Sequence, residues 1–269
     1  MVYEREGMST TSLGTWWVLV TGASRGLGAA ICEGLGPLLG PGSVLLGVAR
    51  SKEGLDTMAA KVKALNSNIK VITEAVDLST ILKEDLEGIL KASFDPGQSP
   101  PPTRAVIFHN AASLENLTYL KQMKDTSKLT PYFHFNVSSV ISLNAVFMDH
   151  VSHLCNGSIT VVNISSLCAV EPMKSWGLYC SAKAARDMVF RVMAVEEPKI
   201  RVLNYAPGPL DNEMQVVARS LTEDEEVKSA FQSMKNDGKL LNCSQSVVKL
   251  LDVLQKDEYK SGDHVDYYD

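Results

Sequence analysis

Three side chains in one stretch of the sequence have the types and spacing to protonate a carbonyl oxygen. Tyr179 and Lys183 are four residues apart, so a helix that continues through residues 182–195 would place both on one face, one turn apart. A phenol beside an ammonium group is an acid whose pKa the cation can lower. Ser166 stands thirteen residues before Tyr179 and follows the apolar run over residues 159–164, which predicts a buried strand. Because α/β sheets carry their chemistry at the carboxyl ends of strands, this stretch is the candidate catalytic site.

A neighbouring cation can supply much of the free energy needed to lower the pKa of the tyrosine. The pKa of a free tyrosine is near 10, and lowering it to about 7 requires roughly 4 kcal/mol of preference for the phenolate. Lys183, one helical turn away in a partly dry pocket, can supply much of that preference. The alternative interpretation is a packed tyrosine, a solvated lysine and a serine in a turn. A serine hydrolase is disfavoured, because no histidine stands next to Ser166 and Ser166 does not lie in a G-x-S-x-G elbow.

A glycine-rich turn follows the first predicted strand, over residues 16–20. The turn holds Gly22, Gly26 and Gly28, and a helix is predicted over residues 29–39. These glycines would permit a tight turn, close approach of the backbone to a pyrophosphate, and close packing of helix on strand. The spacing is G-x3-G-x-G rather than G-x-G-x-x-G, and a purely structural turn is the alternative. Its place after the first strand favours nucleotide binding.

The end of the second predicted strand, over residues 43–49, indicates which nicotinamide cofactor is used. An acidic residue about 20 positions past the glycine turn binds the adenosine ribose of NAD. Here that position is Arg50, and Arg25 lies within the glycine turn itself. Both guanidinium groups can pair with a 2′-phosphate, which favours NADP(H) over NAD(H). Two solvated surface arginines are the alternative.

Strands and helices alternate along the rest of the chain. Strands are predicted over residues 70–76, 104–108, 159–164 and 201–205, and helices over residues 55–65, 81–92, 129–154, 179–197, 223–235 and 246–255. Residues 95–102 are rich in proline and predict a surface loop. Asp77 is expected either to accept a hydrogen bond from an adenine amino group or, like Ser79, to cap the helix over residues 81–92. The alternation predicts an α/β fold, a single-domain Rossmann-type doubly wound parallel sheet with helices on both faces.

The helix predicted over residues 129–154 carries an apolar stripe suited to a core or to a subunit interface. The stripe consists of Val137, Val140, Ile141, Met148 and Val151. Asn136 opens the stripe, and taken alone it is interpreted as a residue that caps or hydrogen bonds locally.

Length, charge and cysteine content narrow the class of protein. The 269 residues, 45% of them hydrophobic, predict one globular domain over residues 16–269, and a formal charge of −5 without a long basic tract disfavours nucleic acid as a partner. The five cysteines are unevenly spaced and mostly in apolar segments, which indicates reduced thiols. Residues 1–15 lack an apolar core and are interpreted as a flexible leader. No apolar run approaches the roughly 18 residues of a membrane span, so a cytoplasmic location is expected.

The combination of motifs resembles the short-chain dehydrogenase/reductase family over nearly the whole chain. The motifs are Thr21-Gly-x3-Gly-x-Gly28, Asn110-Ala111, Asn136, Ser166, Tyr179-x3-Lys183 and Pro207-Gly208. The resemblance implies NADPH-dependent reduction of a carbonyl, without a metal. It implies that Tyr179 donates the proton, that Ser166 holds the carbonyl oxygen, and that Lys183 binds the nicotinamide ribose and lowers the tyrosine pKa. It also implies that Asn136 supports a water relay to Lys183.

The resemblance further implies a cofactor site drawn from several loops. Its residues are Gly22, Ser24, Arg25, Gly26, Leu27, Gly28, Arg50, Ser51, Asp77, Leu78, Asn110, Lys183, Leu210, Asp211, Met214 and Gln215, with residues 210–215 closing over the nicotinamide. The chain departs from the family at residues 109–112, where His109-Asn-Ala-Ala112 replaces the usual Asn-Asn-Ala-Gly. Ala112 is expected to loosen cofactor contacts, and His109 is assigned no role.

Within the family, the terminal Lys260-Ser-Gly-x-His-Val-Asp-Tyr-Tyr-Asp269 resembles that of the reductases of pterin side-chain carbonyls. This implies a homodimer and a pterin in contact with Ser166, Leu167, Tyr179, Gly208 and Asp266. A carboxylate near a chain end is usually solvated, but the neighbouring tyrosines at 267 and 268 favour a packed tail, in which Asp266 can form two charge-assisted bonds to a pterin. The alternatives are a broader NADPH-dependent carbonyl or diketone reductase and a catalytically silent NADP(H)-binding regulator.

Overall fold

Seven parallel strands form one sheet in a computed structural model that describes residues 13–94, 101–152 and 158–269. The strands are β1 (Trp16–Thr21), β2 (Val44–Ala49), β3 (Lys70–Ala75), β4 (Arg104–His109), β5 (Ser158–Ile164), β6 (Arg201–Ala206) and β7 (His264–Asp266). Their order across the sheet is β3-β2-β1-β4-β5-β6-β7, so the direction of winding reverses between β1 and β4. In such sheets the ligand crevice lies at this switch point, at the carboxyl ends of the strands.

Helices cover both faces of the sheet. In chain order the described α-helices are α1 (Gly26–Leu35), α2 (Lys52–Leu65), α3 (Lys83–Ser93), α4 (Thr126–Phe133), α5 (Ser139–Ser152), α6 (Gly177–Glu196), α7 (Glu213–Leu221), α8 (Glu225–Asn236) and α9 (Cys243–Lys256). The helices α1, α2 and α9 share one core with the sheet, and α3, α5 and α6 share the other. The doubly wound α/β fold predicted from the sequence is therefore confirmed.

The first strand shows why the sheet must be buried on both sides. Trp16, Val18 and Val20 point into the core of α1 and α9, while Trp17 and Leu19 point into the core of α3 and α5. Because successive side chains of a strand face opposite sides, an unbroken apolar run can be buried only between two layers. This burial fixes the carboxyl end of β1, and the glycine-rich turn begins there.

Several helix and strand boundaries differ from those predicted from the sequence, and two elements were not predicted. The helix predicted over residues 129–154 is α4, a π-helical turn (His134–Ser138) and α5, with Pro131 inside α4; its predicted end at residue 154 lies outside the described residues. Proline has no N–H to donate and crowds the preceding turn, which is a physical reason for the irregular winding. The short elements α7 and β7 were not predicted, because three residues of strand and nine of helix carry little periodicity.

The prediction that Asp77 or Ser79 caps the third helix is wrong. The helix α3 begins only at Lys83, and Leu82 precedes it without a capping side chain. Asp77 Oδ1 instead accepts from the backbone N–H of Ser79 at 2.9 Å and from its hydroxyl at 2.6 Å. This local turn gives the carboxylate its hydrogen bonds six residues before the first residue of α3.

Residues 1–12 of the leader that was predicted over residues 1–15 lie outside the described residues. The backbone N–H of Leu13 donates to the carbonyl of Leu38 at 2.8 Å, and the N–H of Gly40 donates to Gly14 at 2.8 Å. Residues 95–100 of the predicted surface loop are also outside the description. Within the described part of the chain, no helix combines the length and apolar character needed to cross a membrane.

The close approach of α1 to the turn after β1 generates a test by substitution. A methyl group at Gly28 would lie 2.2 Å from the carbonyl oxygen of Gly22 and 2.6 Å from Asn110 Nδ2, whereas one at Gly88 in α3 meets no described atom within 4 Å. We expect Gly28→Ala to lower the free energy of unfolding by about 1–3 kcal/mol through overpacking. Gly88→Ala, the matched control, should raise it by about 0.5–1 kcal/mol, since glycine weakens a helix interior. Urea denaturation of both variants measures the difference, and equal effects would contradict the steric argument.

Candidate active site

The helix α6 carries the tyrosine and the lysine on one buried face, as predicted. Tyr179 is 7% exposed and Lys183 is 4% exposed. The ammonium of Lys183 lies 5.6 Å from the centre of the Tyr179 ring and donates to the carbonyl oxygen of Ile164 at 2.6 Å. Ile164 ends β5, so this bond ties the catalytic helix to the strand whose following loop presents Ser166. The three side chains are thereby brought together.

Ser166 caps a short 3-10 turn beside the buried tyrosine. Its side chain accepts from the backbone N–H of Cys168 at 3.2 Å, and the nearby hydroxyl lowers the pKa of Tyr179, against the larger effect of burial. The serine can thus hold a carbonyl oxygen beside the phenol. Leu167, the next residue, is half exposed, with 52% of its surface open.

Burial is the main influence on the pKa values of the tyrosine and the lysine. Burial raises the pKa of Tyr179 above its ordinary value, and the nearby hydroxyl of Ser166 and the charge of Arg186 only partly oppose that rise. Burial also holds the pKa of Lys183 well below its usual range, followed by repulsion from Arg186. The ammonium of Lys183 is bonded to Ile164, and the expectation that Lys183 lowers the tyrosine pKa stays a prediction. Since burial raises its pKa, Tyr179 is in its protonated, donor form at neutral pH.

The helix α7, which the sequence did not predict, covers the tyrosine. The hydroxyl of Tyr179 donates to the sulfur of Met214 at 3.8 Å, and Gln215 beside it is buried. A signal for this helix was present, since Asn212 followed by Gln215 has the spacing of a capping pair, and the Asn212 side chain accepts from the N–H of Gln215 at 3.2 Å. Leu210, which precedes α7, is held by a bridge to Leu241. Residues 210–215 thus lie over the candidate catalytic hydroxyl.

Asn136 lies in the π-helical turn and is 2% exposed. Its Oδ1 accepts from the N–H of Ser113 at 2.9 Å, and its Nδ2 donates to the Ser113 hydroxyl and to the Tyr132 carbonyl, both at 3.0 Å. The side chain therefore orders the loop after β4, in agreement with the local role that the residue type predicts. Winding of the π type is frequent at functional sites because it redirects a few backbone groups.

A buried polar cluster beneath the tyrosine was missed by sequence reasoning. Arg186, 1% exposed, donates from Nε to Asn163 Oδ1 at 2.8 Å and from its terminal nitrogens to the carbonyls of Ala111 and His109. Burial lowers its pKa to about 10. The available signal was spacing, since Arg186 and Asp187 follow Lys183 by three and four residues and must share its buried face. His109 is packed in the core, where burial lowers its pKa to about 3, in agreement with the absence of an assigned role.

The turn after β1 is locked to the loop after β4. The hydroxyl of Thr21 accepts from the N–H groups of Asn110 and Ala111, both at 2.9 Å, and Asn110 Nδ2 donates to the Thr21 carbonyl at 2.9 Å. Two positions of the turn require left-handed backbone, Gly22 at φ +67° and Gly26 at φ +56°. A Cβ at Gly26 would meet no described atom within 4 Å, so this side of the turn is open.

The start of α1 fits a pyrophosphate. Arg25 precedes the helix without capping it, and its first turn holds no acidic side chain. The N–H groups there are thus free of side-chain acceptors within α1, and the positive end of the helix dipole favours an anion. Together with the open side of Gly26, this arrangement fits a dinucleotide.

The two arginines predicted to select the cofactor are placed differently from each other. Arg50 is exposed after β2, and its charge adds to the hydrogen bonds of Ser79 in lowering the pKa of Asp77. Arg25 instead forms an exposed ion pair with Glu213 at the start of α7. Ser51 caps α2 by accepting from the N–H of Gly54 at 3.2 Å. Arg50 and Asp77 are therefore neighbours, while Arg25 joins the glycine turn to α7.

The C-terminal tail is packed, as the adjacent tyrosines suggested. Asp266 ends β7 and pairs with Ala206, two residues before Gly208. A Cβ at Gly208 would lie 3.3 Å from the Cβ of Tyr267, so the tail passes directly over this loop. Asp266 Oδ1 accepts from the N–H of Tyr268 at 3.0 Å, which leaves its other oxygen for a ligand. The carboxylate thus lies at the same edge of the sheet as the loop after β5.

Two thiols flank the candidate catalytic residues. The proximity of Cys168 and Cys180 lowers the pKa of Cys180 to about 7 and raises that of Cys168. Both are free, as are Cys32 and Cys243, while the fifth cysteine lies outside the described residues. The prediction of reduced thiols therefore agrees with the four described cysteines.

The profile of the short chain dehydrogenase family matches residues 16–223. The chain is 42% identical over 263 residues to a sepiapterin reductase of Mus musculus, covering 97% of this chain and 100% of that protein. It is 42% identical over 262 residues to a sepiapterin reductase of Xenopus tropicalis, covering 97% and 99%.

More distant relatives share the fold. A benzil reductase ((S)-benzoin forming) of Bacillus cereus is 25% identical over 252 residues, covering 92% of this chain and 97% of that protein. The crystal structure of the KRED1-Pglu enzyme superposes with a TM-score of 0.78 at 24% identity, covering 93% and 100% of the two chains. A short chain dehydrogenase of Shigella flexneri, solved in complex with NADP, superposes with a TM-score of 0.76 at 21% identity, covering 97% and 100%.

Proposed function

The chain is an oxidoreductase of the short chain dehydrogenase family, and we propose that it reduces the side-chain carbonyls of pterins with NADPH. The substrates would be sepiapterin and 6-pyruvoyl-tetrahydropterin, in the biosynthesis of tetrahydrobiopterin. Two relatives that are sepiapterin reductases match at 42% identity over nearly the whole chain. The observation that carries the proposal is the position of Asp266, which β7 brings to the edge of the sheet where Ser166 and Tyr179 lie.

Proton transfer is the task of Tyr179. Its buried phenol is protonated at neutral pH, so it can donate to the substrate's carbonyl oxygen. Ser166, whose hydroxyl lies near the phenol, would orient that oxygen. When bound, the cofactor supplies the hydride that adds to the carbonyl carbon. Since the proton arrives from Tyr179 as the hydride adds, the oxygen does not accumulate charge.

Lys183 would bind the nicotinamide ribose and would take part in the proton relay that leads to Tyr179. It is buried and fixed to Ile164, so its ammonium is preorganised within α6. Asn136, in the π-helical turn, would support a water relay to Lys183. Both roles belong to the proposal, since the bonds of Asn136 described above are to Ser113 and Tyr132.

The choice of NADPH rests on two cations beside the adenosine end of the site. Arg50 follows β2 and is exposed, and Ser51 provides a hydroxyl next to it. Arg25 would leave its ion pair with Glu213 and bind the phosphate, which would add a second positive charge to the site. The glycine turn, Asp77, Leu78 and Asn110 would line the rest of the cofactor site, and residues 210–215 would cover the nicotinamide.

The proposal extends to assembly and location. The helices α5 and α6 expose apolar side chains at Ile141, Met188, Val192 and Val195, with 44%, 53%, 46% and 82% of their surfaces open. Such a patch is suited to a homodimer through these two helices. A cytoplasmic location is in keeping with the free thiols at the site.

A broader carbonyl or diketone reductase is the second candidate, favoured by the similarity to a benzil reductase. The identity is 25%, against 42% for the sepiapterin reductases. Comparison of sepiapterin with benzil under the same conditions discriminates, because a pterin-specific enzyme should prefer sepiapterin in kcat/KM.

The function is tested by NADPH oxidation with sepiapterin. We expect substrate-dependent loss of the NADPH absorbance, and a decrease in kcat of about 100-fold or more in Tyr179→Phe, because general acid catalysis contributes about 10²–10⁴-fold. Tyr119→Phe, which removes a hydroxyl bonded to Asp224, is the control and should retain kcat within about threefold. Absence of turnover in the wild-type protein would reject the reductase and favour an NADP(H)-binding regulator.

Asp266→Asn tests the pterin anchor. We expect KM for sepiapterin to rise about 10–100-fold, since a charge-assisted hydrogen bond contributes about 1.5–3 kcal/mol. The affinity for NADPH, measured by fluorescence titration, should not change. Asp263→Asn in the same tail is the matched control and should alter neither quantity. Equal losses of pterin and cofactor affinity in Asp266→Asn would contradict the anchor role.

Arg50→Ala tests the choice of cofactor. We expect KM for NADPH to rise about 10–100-fold with no rise for NADH, because only the former carries the 2′-phosphate. Lys52→Ala, which removes an exposed cation two residues away, is the control. A parallel change for both cofactors would show that Arg50 does not read the 2′-phosphate.

A further inference from the structure

A buried carboxylate connects the catalytic loop, the catalytic helix and the terminal strand. Asp187, on α6, accepts at Oδ1 from the hydroxyl of Ser165 at 2.5 Å and from Asn163 Nδ2 at 3.0 Å. Its Oδ2 lies 2.6 Å from Nδ1 of His264, the first residue of β7. The side chains of Asp187 and His264 are 9% and 19% exposed. Each oxygen of this carboxylate therefore serves a different part of the site.

The histidine is bound to the rest of the protein through Asp187. The other ring nitrogen of His264, Nε2, is buried and has no hydrogen-bond partner among the described residues. A buried polar ring with one partner depends on that partner for its position. The ring orientation, and with it the side of β7 that faces α6, is set by Asp187.

The backbone of β7 is held by β6, and among its side chains Val265 packs against the core while His264 is held by Asp187. The strand is three residues long, lies at the edge of the sheet, and pairs with β6 at Asn204, Tyr205 and Ala206. His264 and Asp266 are two residues apart, so they point to the same face of the strand. A register shift of one residue would turn both side chains away from that face.

We infer that His264 is a positioning residue for the pterin, because its bond to Asp187 fixes where Asp266 stands relative to Tyr179. Asp187 and Tyr179 belong to one helix, and His264 and Asp266 belong to one strand, so the bond links the two elements through their side chains. The inference rests on the proposed function, since it assigns His264 a part in pterin recognition. His264 acts through Asp266 and touches neither substrate nor cofactor.

The linkage carries a pH dependence. The hydrogen bond to Asp187 raises the pKa of His264, so the ring is charged and paired below that raised pKa and loses its charge as pH rises through it. Charged groups near the ring are Asp187 and Arg191 on α6 and Asp263, Asp266 and Asp269 in its own segment. The net acidic surroundings stabilise the protonated ring. Retention of the pterin should therefore weaken toward alkaline pH.

The first test is a double-mutant cycle in the full-length protein. We expect His264→Gln to raise KM for sepiapterin about tenfold, with kcat within about twofold and NADPH affinity unchanged, since a hydrogen bond to a charged group is lost. In an Asp266→Asn background, the same substitution should add less than about twofold, because His264 acts through Asp266. His150→Gln, a half-buried histidine in α5, is the control and should change neither constant.

Several outcomes would overturn the inference. An effect of His264→Gln that is fully retained in the Asp266→Asn background, or that falls equally on NADPH affinity, indicates general loosening of the fold. Unchanged KM in His264→Gln, with sepiapterin turned over by the wild-type protein, rejects the inference while the proposed function stands. A wild-type protein that does not reduce sepiapterin rejects both.

A second measurement does not depend on the folding of a variant. In the wild-type protein, the ratio of KM for sepiapterin to the dissociation constant for NADPH should increase between about pH 6 and about pH 9, as the histidine loses its proton. A ratio that stays constant across this range contradicts the role of His264.

Discussion

Three ionisable side chains are buried together on one face of α6, and the cost of burying charge organises the site around them. Lys183, Arg186 and Asp187 are each less than 10% exposed. Such groups are tolerated inside a protein only when hydrogen bonds replace the water they have lost. The partners they use belong to the loops that carry chemistry, namely the ends of β4 and β5 and the start of β7. These hydrogen bonds are needed to bury the helix, and they therefore also fix the geometry of the three segments that provide the partners.

The same burial explains the state of the acid. Low polarity around Tyr179 favours the neutral phenol, and the lysine that sequence reasoning placed beside the hydroxyl is bound to Ile164 instead. A protonated phenol is the form that the proposed carbonyl reduction requires, and burial favours that form. The covering sulfur of Met214 adds to this dry environment. Position and solvation, more than one charge pair, define the chemistry of the residue.

Sequence alone was sufficient for six of the seven strands, the glycine turn and the shared face of Tyr179 and Lys183, because each depends on local signals. The apolar runs at β1 and β4, and the four-residue spacing of Tyr179 and Lys183, encode their structures within a few residues. The bond between His264 and Asp187 joins residues 77 positions apart, and no local pattern contains it. Asp77 shows a different limit of sequence-based prediction. The sequence is compatible both with a hydrogen bond to Ser79 and with a role as a helix cap, and the structure has the bond to Ser79. The sequence did not predict which of several hydrogen-bonded arrangements the tertiary structure adopts.

The terminal strand adds a separable module to this fold. Its three residues pair with β6 at the edge of the sheet and include none of Ser166, Tyr179 and Lys183, yet they end in a carboxylate at the carboxyl edge of the sheet. Changes there leave the inner strands and α6 in place. A fold of this kind can vary the groups at one end of its candidate site by exchanging a short C-terminal segment.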